Sequence, residues 1–272
     1  MEPPRSDHAA LGNGPFDAED GGTLIRPLHI EAAGHTDTGR VRDANEDSFA
    51  VLPHLNLFMV ADGMGGHSFG EVASTMAIQV VTGYFEDPKL APLASAVEAK
   101  DRLVAGVRLA NRRILRAGRA DRSKRGMGTT FAGVVAFETS ACVAHVGDSR
   151  VYRHREGKLE QLTRDHSALQ AVQEHRSSSA SPAALRSLRH VLTRALGLWE
   201  GVEVDARIEE VLPGDLALIC SDGLAGVVSD DEIGDILGAE ASIEATAAAL
   251  CERANEYGGP DNVTCILVRW TR

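Results

Sequence analysis

Five acidic positions in this chain fall where a predicted strand meets its turn, and carboxylates gathered that way can hold a cation. Asp62 follows the apolar run Leu55 to Ala61 and precedes Gly63-Met64-Gly65-Gly66. The run reads as a short buried strand, and the glycines let the backbone turn sharply and bring carbonyls beside the carboxylate. Taken singly, Asp-Gly after a strand is an ordinary turn. Here the pattern recurs. Leu216 to Cys220 ends in Ser221-Asp222-Gly223, and Cys142 to Val146 ends in Gly147-Asp148-Ser149. At the other end of their strands, Glu46-Asp47 precedes Ser48 to Leu52, and Asp261-Asn262 precedes Val263 to Trp270. In an antiparallel sheet the start of one strand lies beside the finish of its neighbour, so all five sites could collect on one edge. Like charges repel there unless a cation neutralises them. Carboxylates without a His or Cys partner favour hard ions such as Mg2+ or Mn2+.

The elements that must position these groups are legible around them. A first strand is expected from Leu28 to Gly34. After the glycines, Phe69, Val72, Ala73, Met76, Ala77, Val80, Val81 and Tyr84 follow the spacing of an amphipathic helix packed on a sheet. A second helix, from about Pro92 to Ala117, carries Leu103, Val107, Ala110 and Ile114 on one face and Arg108, Arg112, Arg113 and Arg116 on the other, which reads as solvated. Strands meander from Phe131 to Thr163. A serine-rich surface flap follows between His166 and Leu192. Strands return at Val202 to Ile208 and Leu216 to Cys220. Ser229 with Glu232 forms a capping box for a helix to about Leu237, and a helix from Ile243 to Asn255 ends at Gly258-Gly259. Many antiparallel strands with helices between them point to an α+β fold, a central β-sandwich with helices outside.

Composition bounds the function. The 272 residues, 43% hydrophobic and 25% charged, suit a soluble globular protein with a substantial core. A net charge of -11 argues against a general nucleic-acid binder, because phosphate affinity is built from clustered Lys and Arg. Residues 1–27 are rich in Pro, Gly, Asp and Glu and are expected to form a mobile tail. Cys142, Cys220, Cys251 and Cys265 form no Cys-x-x-Cys pair and read as buried hydrophobes in a reducing compartment, with structural zinc or a disulfide as the lesser alternative. No signal-peptide pattern and no run of 18 apolar residues occurs. The expectation is a cytoplasmic protein with no membrane insertion.

Eight motifs stand in order along the chain: Arg42-x-x-Asn45-Glu46-Asp47, Asp62-Gly63-Met64-Gly65-Gly66-His67, Gly126-Met127-Gly128-Thr129-Thr130, Gly147-Asp148-Ser149-Arg150, Asp165-His166-Ser167, Leu192-Thr193-Arg194-Ala195-Leu196-Gly197, Ser221-Asp222-Gly223 and Gly259-Pro260-Asp261-Asn262. The set resembles the motif series of the metal-dependent serine/threonine protein phosphatases, the PPM family, in their bacterial form, over about residues 30–270. The resemblance implies one phosphatase domain over 28–272, an α-β-β-α sandwich, and hydrolysis of phosphoserine and phosphothreonine on proteins, opposing serine/threonine kinases. It implies two Mn2+ or Mg2+ ions bridged by a hydroxide, and a weaker third ion. Asp62 would bridge both metals and Gly63 would lend its carbonyl. Asp222 and Asp261 would hold the other ion, and Glu46 and Asp47 would act directly or through water. Asp148 would serve the third ion. Arg42 would grip the substrate phosphate, where a planar bidentate donor fits two oxygens. The partners implied are phosphorylated proteins, including a serine/threonine kinase or its targets, and a monomer is expected.

Some relatives place a His two residues after the bridging Asp as a proton donor; here Met64 stands there, and His67 is nearby. Two other readings compete. A dinucleotide fingerprint at Gly63 to Gly66 would set Asp62 against an anionic pyrophosphate and lacks the full glycine spacing. A catalytically silent phosphoprotein-binding scaffold would be expected to have lost metal carboxylates, whereas Asp47, Asp62, Asp222 and Asp261 are all present.

Overall fold

The computed structural model describes residues 28–65, 69–174, 188, 191–239 and 241–272. The expected tail 1–27, His67 and most of the serine-rich flap lie outside the described residues. Among the described residues eleven strands form two antiparallel sheets. The first has the order β1 (His29–Asp37), β11 (Val263–Thr271), β10 (Leu216–Cys220), β7 (Arg150–Arg155), β8 (Lys158–Gln161). The second runs β2 (Asp47–Leu52), β3 (Leu57–Met64), β5 (Phe131–Phe137), β6 (Ser140–Val146), β9 (Asp205–Glu210), with the two-residue β4 (Gly128–Thr129) paired to the tip of β3.

Alternation along the central strands builds three apolar layers. On β3, Phe58 and Val60 face the opposite sheet and meet Ile219, Ile266 and Trp270. Leu57, Met59 and Ala61 face outward, onto α1 (Phe69–Phe85) and α2 (Ala96–Ala120). On the other side Leu218, Cys220, Cys265 and Leu267 pack beneath α4 (Asp222–Ala225), α5 (Asp230–Gly238) and α6 (Ile243–Glu256). A short α3 (Ala168–Glu174) opens the flap segment. Burial on both faces explains why these strands are nearly continuous apolar runs. Truncating Leu218 to Ala would cost about 2–5 kcal/mol. The α-β-β-α arrangement expected from sequence is the one found.

Several boundaries move for identifiable reasons. β3 does not stop at Ala61; it continues through Asp62 and Gly63 to Met64 because β2 and β4 pair with its tip. β1 runs on to Asp37 because β11 pairs with its whole length. The strand expected at Val202 to Ile208 lies at Asp205–Glu210, in register with β6, while Val202 and Val204 pack against the α1/α2 core. α2 starts at Ala96, where Ser95 caps it by accepting the Glu98 N–H at 3.2 Å. The capping box at Ser229 and Glu232 forms as expected.

The acidic positions gather at one end of the sandwich. Asp47 and Asp62 lie directly opposite in the β2–β3 register. In the other sheet Cys220 pairs with both Arg150 and Cys265, so the end of β10 lies between the starts of β7 and β11. Asp222, Asp148 and Asp261 sit just beyond those ends. The gathering spans two sheets, where a single sheet edge was expected.

Candidate metal centre and active site

A cleft of about 1250 Å³ opens at that end, and Arg42, Glu46, Asp62, Gly63, Asp148, Asp222 and Asp261 all line it. Seven of the eight residues named from sequence are therefore brought together in one cleft. The eighth, Asp47, lies just beneath, and it ties the two sheets: Ser221 Oγ donates to its Oδ2 at 2.8 Å. Ser221 Oγ in turn accepts the Thr264 N–H at 3.0 Å. Asp62 is fixed through its backbone. Its N–H donates to Thr130 Oγ1 at 2.9 Å, and its carbonyl accepts from Thr129 Oγ1 at 2.8 Å and from Thr130 N at 2.9 Å. Thr130 Oγ1 also meets Ser149 Oγ at 2.7 Å, which joins the Asp62 strand to the Asp148 turn.

Asn262 anchors the loop that carries Arg42 and Glu46. Its Oδ1 accepts the Glu46 N–H at 2.8 Å, and its Nδ2 donates to the carbonyls of Thr38 and Ala44 at 2.8 and 2.9 Å. Gly63 and Gly70 meet back to back. A Cβ on Gly63 would collide with the Gly70 carbonyl, and one on Gly70 would lie 2.5 Å from Glu46 Oε2. The absence of side chains there is steric rather than conformational.

The electrostatics follow from crowding carboxylates in a buried end. Burial, compounded by the charges of Asp47, Asp222, Asp148 and Asp261, holds the Asp62 carboxyl well above the usual carboxylate range. Burial raises Asp47 to about 7, with Asp222 and Asp261 adding to it against hydrogen bonds from Thr264 and Ser221. Asp148 is likewise raised to about 7 by burial and by Asp222 and Asp165. Glu46 is raised by burial, partly offset by Arg42. Arg42 forms an ion pair with Asp261, Nη2 to Oδ2 at 2.8 Å. This pairing leaves the rest of the cleft open. Among the described residues Asp47 Oδ1 is buried without a hydrogen-bond partner. Such an orphaned oxygen in an all-oxygen donor set is suited to a hard divalent cation, which would remove the repulsion that lifts these carboxyls.

Some features had no role in the sequence reading. Asn262, Ser221 and Thr130 stood inside the quoted motifs, yet only coordinates show the loops they join. Asp165 accepts from Arg150 Nε and Nη2 at 2.9 and 2.8 Å, a bidentate pair on the cleft wall. Met64 lines the cleft at the position where a His was sought. All four cysteines are free and buried; Cys251 and Cys265 approach to 3.8 Å between sulfurs. No described helix is long and apolar enough to cross a membrane.

The chain is similar to known proteins over most of its length. Residues 34–268 match the family model described as protein phosphatase 2C. The chain is 35% identical over 242 residues to the serine/threonine phosphatase stp of Listeria welshimeri, covering 88% of this chain and 95% of that protein. The solved catalytic domain of the serine/threonine protein phosphatase PstP, in complex with two manganese ions, superposes with a TM-score of 0.79 at 34% identity, covering 90% of this chain and all of that one. PppA of Pseudomonas aeruginosa gives a TM-score of 0.78 at 32% identity over 90% of this chain and 99% of its own.

Proposed function

The chain belongs to the protein phosphatase 2C family and is a bacterial-type serine/threonine protein phosphatase, and we propose that it hydrolyses phosphoserine and phosphothreonine on proteins with two divalent cations, Mn2+ or Mg2+, held at this cleft. The observation that carries the reading is the gathering of Asp47, Asp62, Asp222 and Asp261 at one end of the sandwich, with the buried Asp47 Oδ1 left without a hydrogen-bond partner. When bound, the cation pair supplies a hydroxide nucleophile near neutral pH and neutralises charge on the phosphate. Asp62, with the Gly63 carbonyl beside it, would be the central carboxylate holding the cations. Asp222 and Asp261 would help hold the second ion, Glu46 and Asp47 would act directly or through water, and Asp148 would serve a weaker third ion.

Phosphoryl transfer asks the protein mainly for positioning and charge stabilisation. Arg42 supplies this by presenting its planar guanidinium to two phosphate oxygens from a loop that Asn262 fixes. The half-exposed setting of Arg42, with its side chain 53% accessible, lets it trade Asp261 for substrate. A phosphatase domain spanning 28–272, a monomer, a cytoplasmic location and a serine/threonine kinase or its targets as partners complete the proposal.

The experiment is hydrolysis of p-nitrophenyl phosphate and of a phosphothreonine peptide with Mn2+. Activity that Asp62→Ala abolishes is expected. A folded wild-type protein that binds phosphopeptide and turns over neither substrate with any divalent ion would overturn the reading in favour of a binding scaffold.

A further inference from the structure

The turn Gly147-Asp148-Ser149 crosses from one sheet to the other, and two consecutive residues, Asp165 and His166, grip it. Asp165 holds Arg150, two residues after Asp148, through the bidentate pair. His166 holds Gly147, the residue before it, by both backbone groups: its N–H donates to the Gly147 carbonyl at 2.8 Å, and its Nδ1 accepts the Gly147 N–H at 3.1 Å. Gly147 sits at φ +105°, a conformation that only glycine adopts freely, so the turn has an unusual shape to maintain.

The far nitrogen of His166 is also engaged. Nε2 lies 3.2 Å from Asp205 Oδ2 and 3.2 Å from Arg194 Nη1, and Arg194 itself donates to Asp205 Oδ1 at 2.6 Å. His145 stacks on the ring at a centroid distance of 4.6 Å. His145, His166 and Asp205 bring ligand atoms within 4.8 Å of one another, which suggests a second cation site. The hydrogen bonds argue against one. Nδ1 accepts from Gly147, so the single proton of a neutral ring sits on Nε2, leaving no lone pair there for a metal, and the Arg194 guanidinium occupies the approach. Burial and the neighbouring His145 push His166 down to about 4, so one proton is what the ring carries near neutral pH.

The backbone of the same segment reaches the flap. The His166 carbonyl accepts the Thr193 N–H at 2.8 Å, Ser167 bridges to Leu192, and Ala168 N donates to the Val191 carbonyl at 2.7 Å. We propose that His166 is a positioning residue: Asp205 fixes the tautomer in which Nδ1 holds the Gly147 N–H, and this clamp ties the turn presenting Asp148 to both ends of the flap segment. Its effect on cation binding rests on the reading of Asp148 as a ligand of the weaker ion; the clamp itself does not.

Two substitutions separate the two ring nitrogens. His166→Asn places an acceptor where Nδ1 stands, and His166→Gln places one near Nε2. Hydrogen exchange of the Gly147 amide on the full chain reads the clamp directly. Protection in His166→Asn within about 3-fold of wild type and a loss of about 10-fold or more in His166→Gln is expected, one hydrogen bond being worth about 1.4 kcal/mol at that ratio. Equal protection in both variants, or a greater loss in His166→Asn, overturns the proposal. Mn2+ isotherms then test the consequence. Asp148→Ala should remove the weakest binding phase and His166→Gln should weaken it, with His166→Asn close to wild type. A phase lost in Asp148→Ala and untouched in His166→Gln overturns the coupling. A phase that survives Asp148→Ala overturns the ligand assignment instead, and leaves the exchange result to judge the clamp.

Discussion

Arg42 and Asp261 form an ion pair at 2.8 Å across the mouth of the cleft, between the residue assigned to phosphate and a residue assigned to a cation. Despite partial burial, the charges of Asp261, Asp62 and Glu46 favour the cationic guanidinium. With both side chains partly exposed, the pair contributes little stability and is readily exchanged. Arg42→Ala is expected to lower kcat/KM on a phosphopeptide by about 10- to 100-fold, the loss of a charge-assisted hydrogen bond of about 1.5–3 kcal/mol. Mn2+ affinity should be equal or tighter, because a competitor for Asp261 is gone. Calorimetric titration showing weaker Mn2+ binding would contradict this exchange.

Asp62→Asn separates stability from binding. Asp62 is the most crowded carboxylate in the site, opposed by burial and four acidic neighbours. Removing its charge should raise the melting temperature of the chelator-treated protein, by about 2–4 °C for each kcal/mol of repulsion relieved. Added Mn2+ should then raise it no further. A variant that melts lower without metal and still responds to Mn2+ would show that Asp62 is outside the cation site.

The pH dependence carries a defined sign. Asp47 and Asp148 titrate near 7 in the fold against an ordinary carboxyl value of 3.8. Below about pH 4 both states hold these protons. Between about pH 4 and 7 the unfolded chain releases them first, so the two groups destabilise the metal-free fold progressively, and above 7 the penalty is complete. The melting increment produced by Mn2+ should therefore be larger at pH 7.5 than at pH 5.5. Binding should release protons, measurable as heats that differ between buffers of different ionisation enthalpy. Proton-silent binding at pH 6 would refute the assignment.

Asn262 makes three hydrogen bonds to the loop that holds Arg42 and Glu46. Asn262→Ala removes the partner of the Glu46 N–H and of two partly exposed carbonyls, and about 1–3 kcal/mol of stability should be lost. Activity should fall beyond what denaturant curves account for, since the displaced loop carries the phosphate contact. Unfolding in urea alongside kinetics below the transition separates the two effects.

The cysteines give a chemical check. All four are buried, and burial pushes the Cys142 thiol to about 11 and the Cys220 thiol to about 12. Native protein should react with an aromatic disulfide reagent only at the rate of unfolding, and all four thiols should react in denaturant. Rapid labelling of a native thiol would place a cysteine at the surface.

Much of this was readable in the chain because strands buried on both faces write themselves as apolar runs, and acidic residues at their ends stand out against them. The capping box at Ser229 and the helix from Ile243 likewise rest on local rules. What could not be read depends on pairing. Nothing local says that β3 continues past Asp62, since its extension is made by β2 and β4. Val202 and Val204 look like strand residues because they are apolar, but a helix-side pocket claims them. The link from Ser221 to Asp47 joins residues 174 positions apart in different sheets, beyond the reach of any spacing argument.

The division of the acidic set between two sheets has a consequence for assembly. Asp47 and Asp62 belong to one leaf, Asp222 and Asp261 to the other, and the Asp148 turn is the chain's own passage between them. Neither leaf by itself offers the full set of proposed donors. Divalent ions held as proposed would therefore favour the fully mated sandwich, like rivets that find their holes only when two plates are aligned. Slippage along the seam would part the proposed donors before either leaf comes apart.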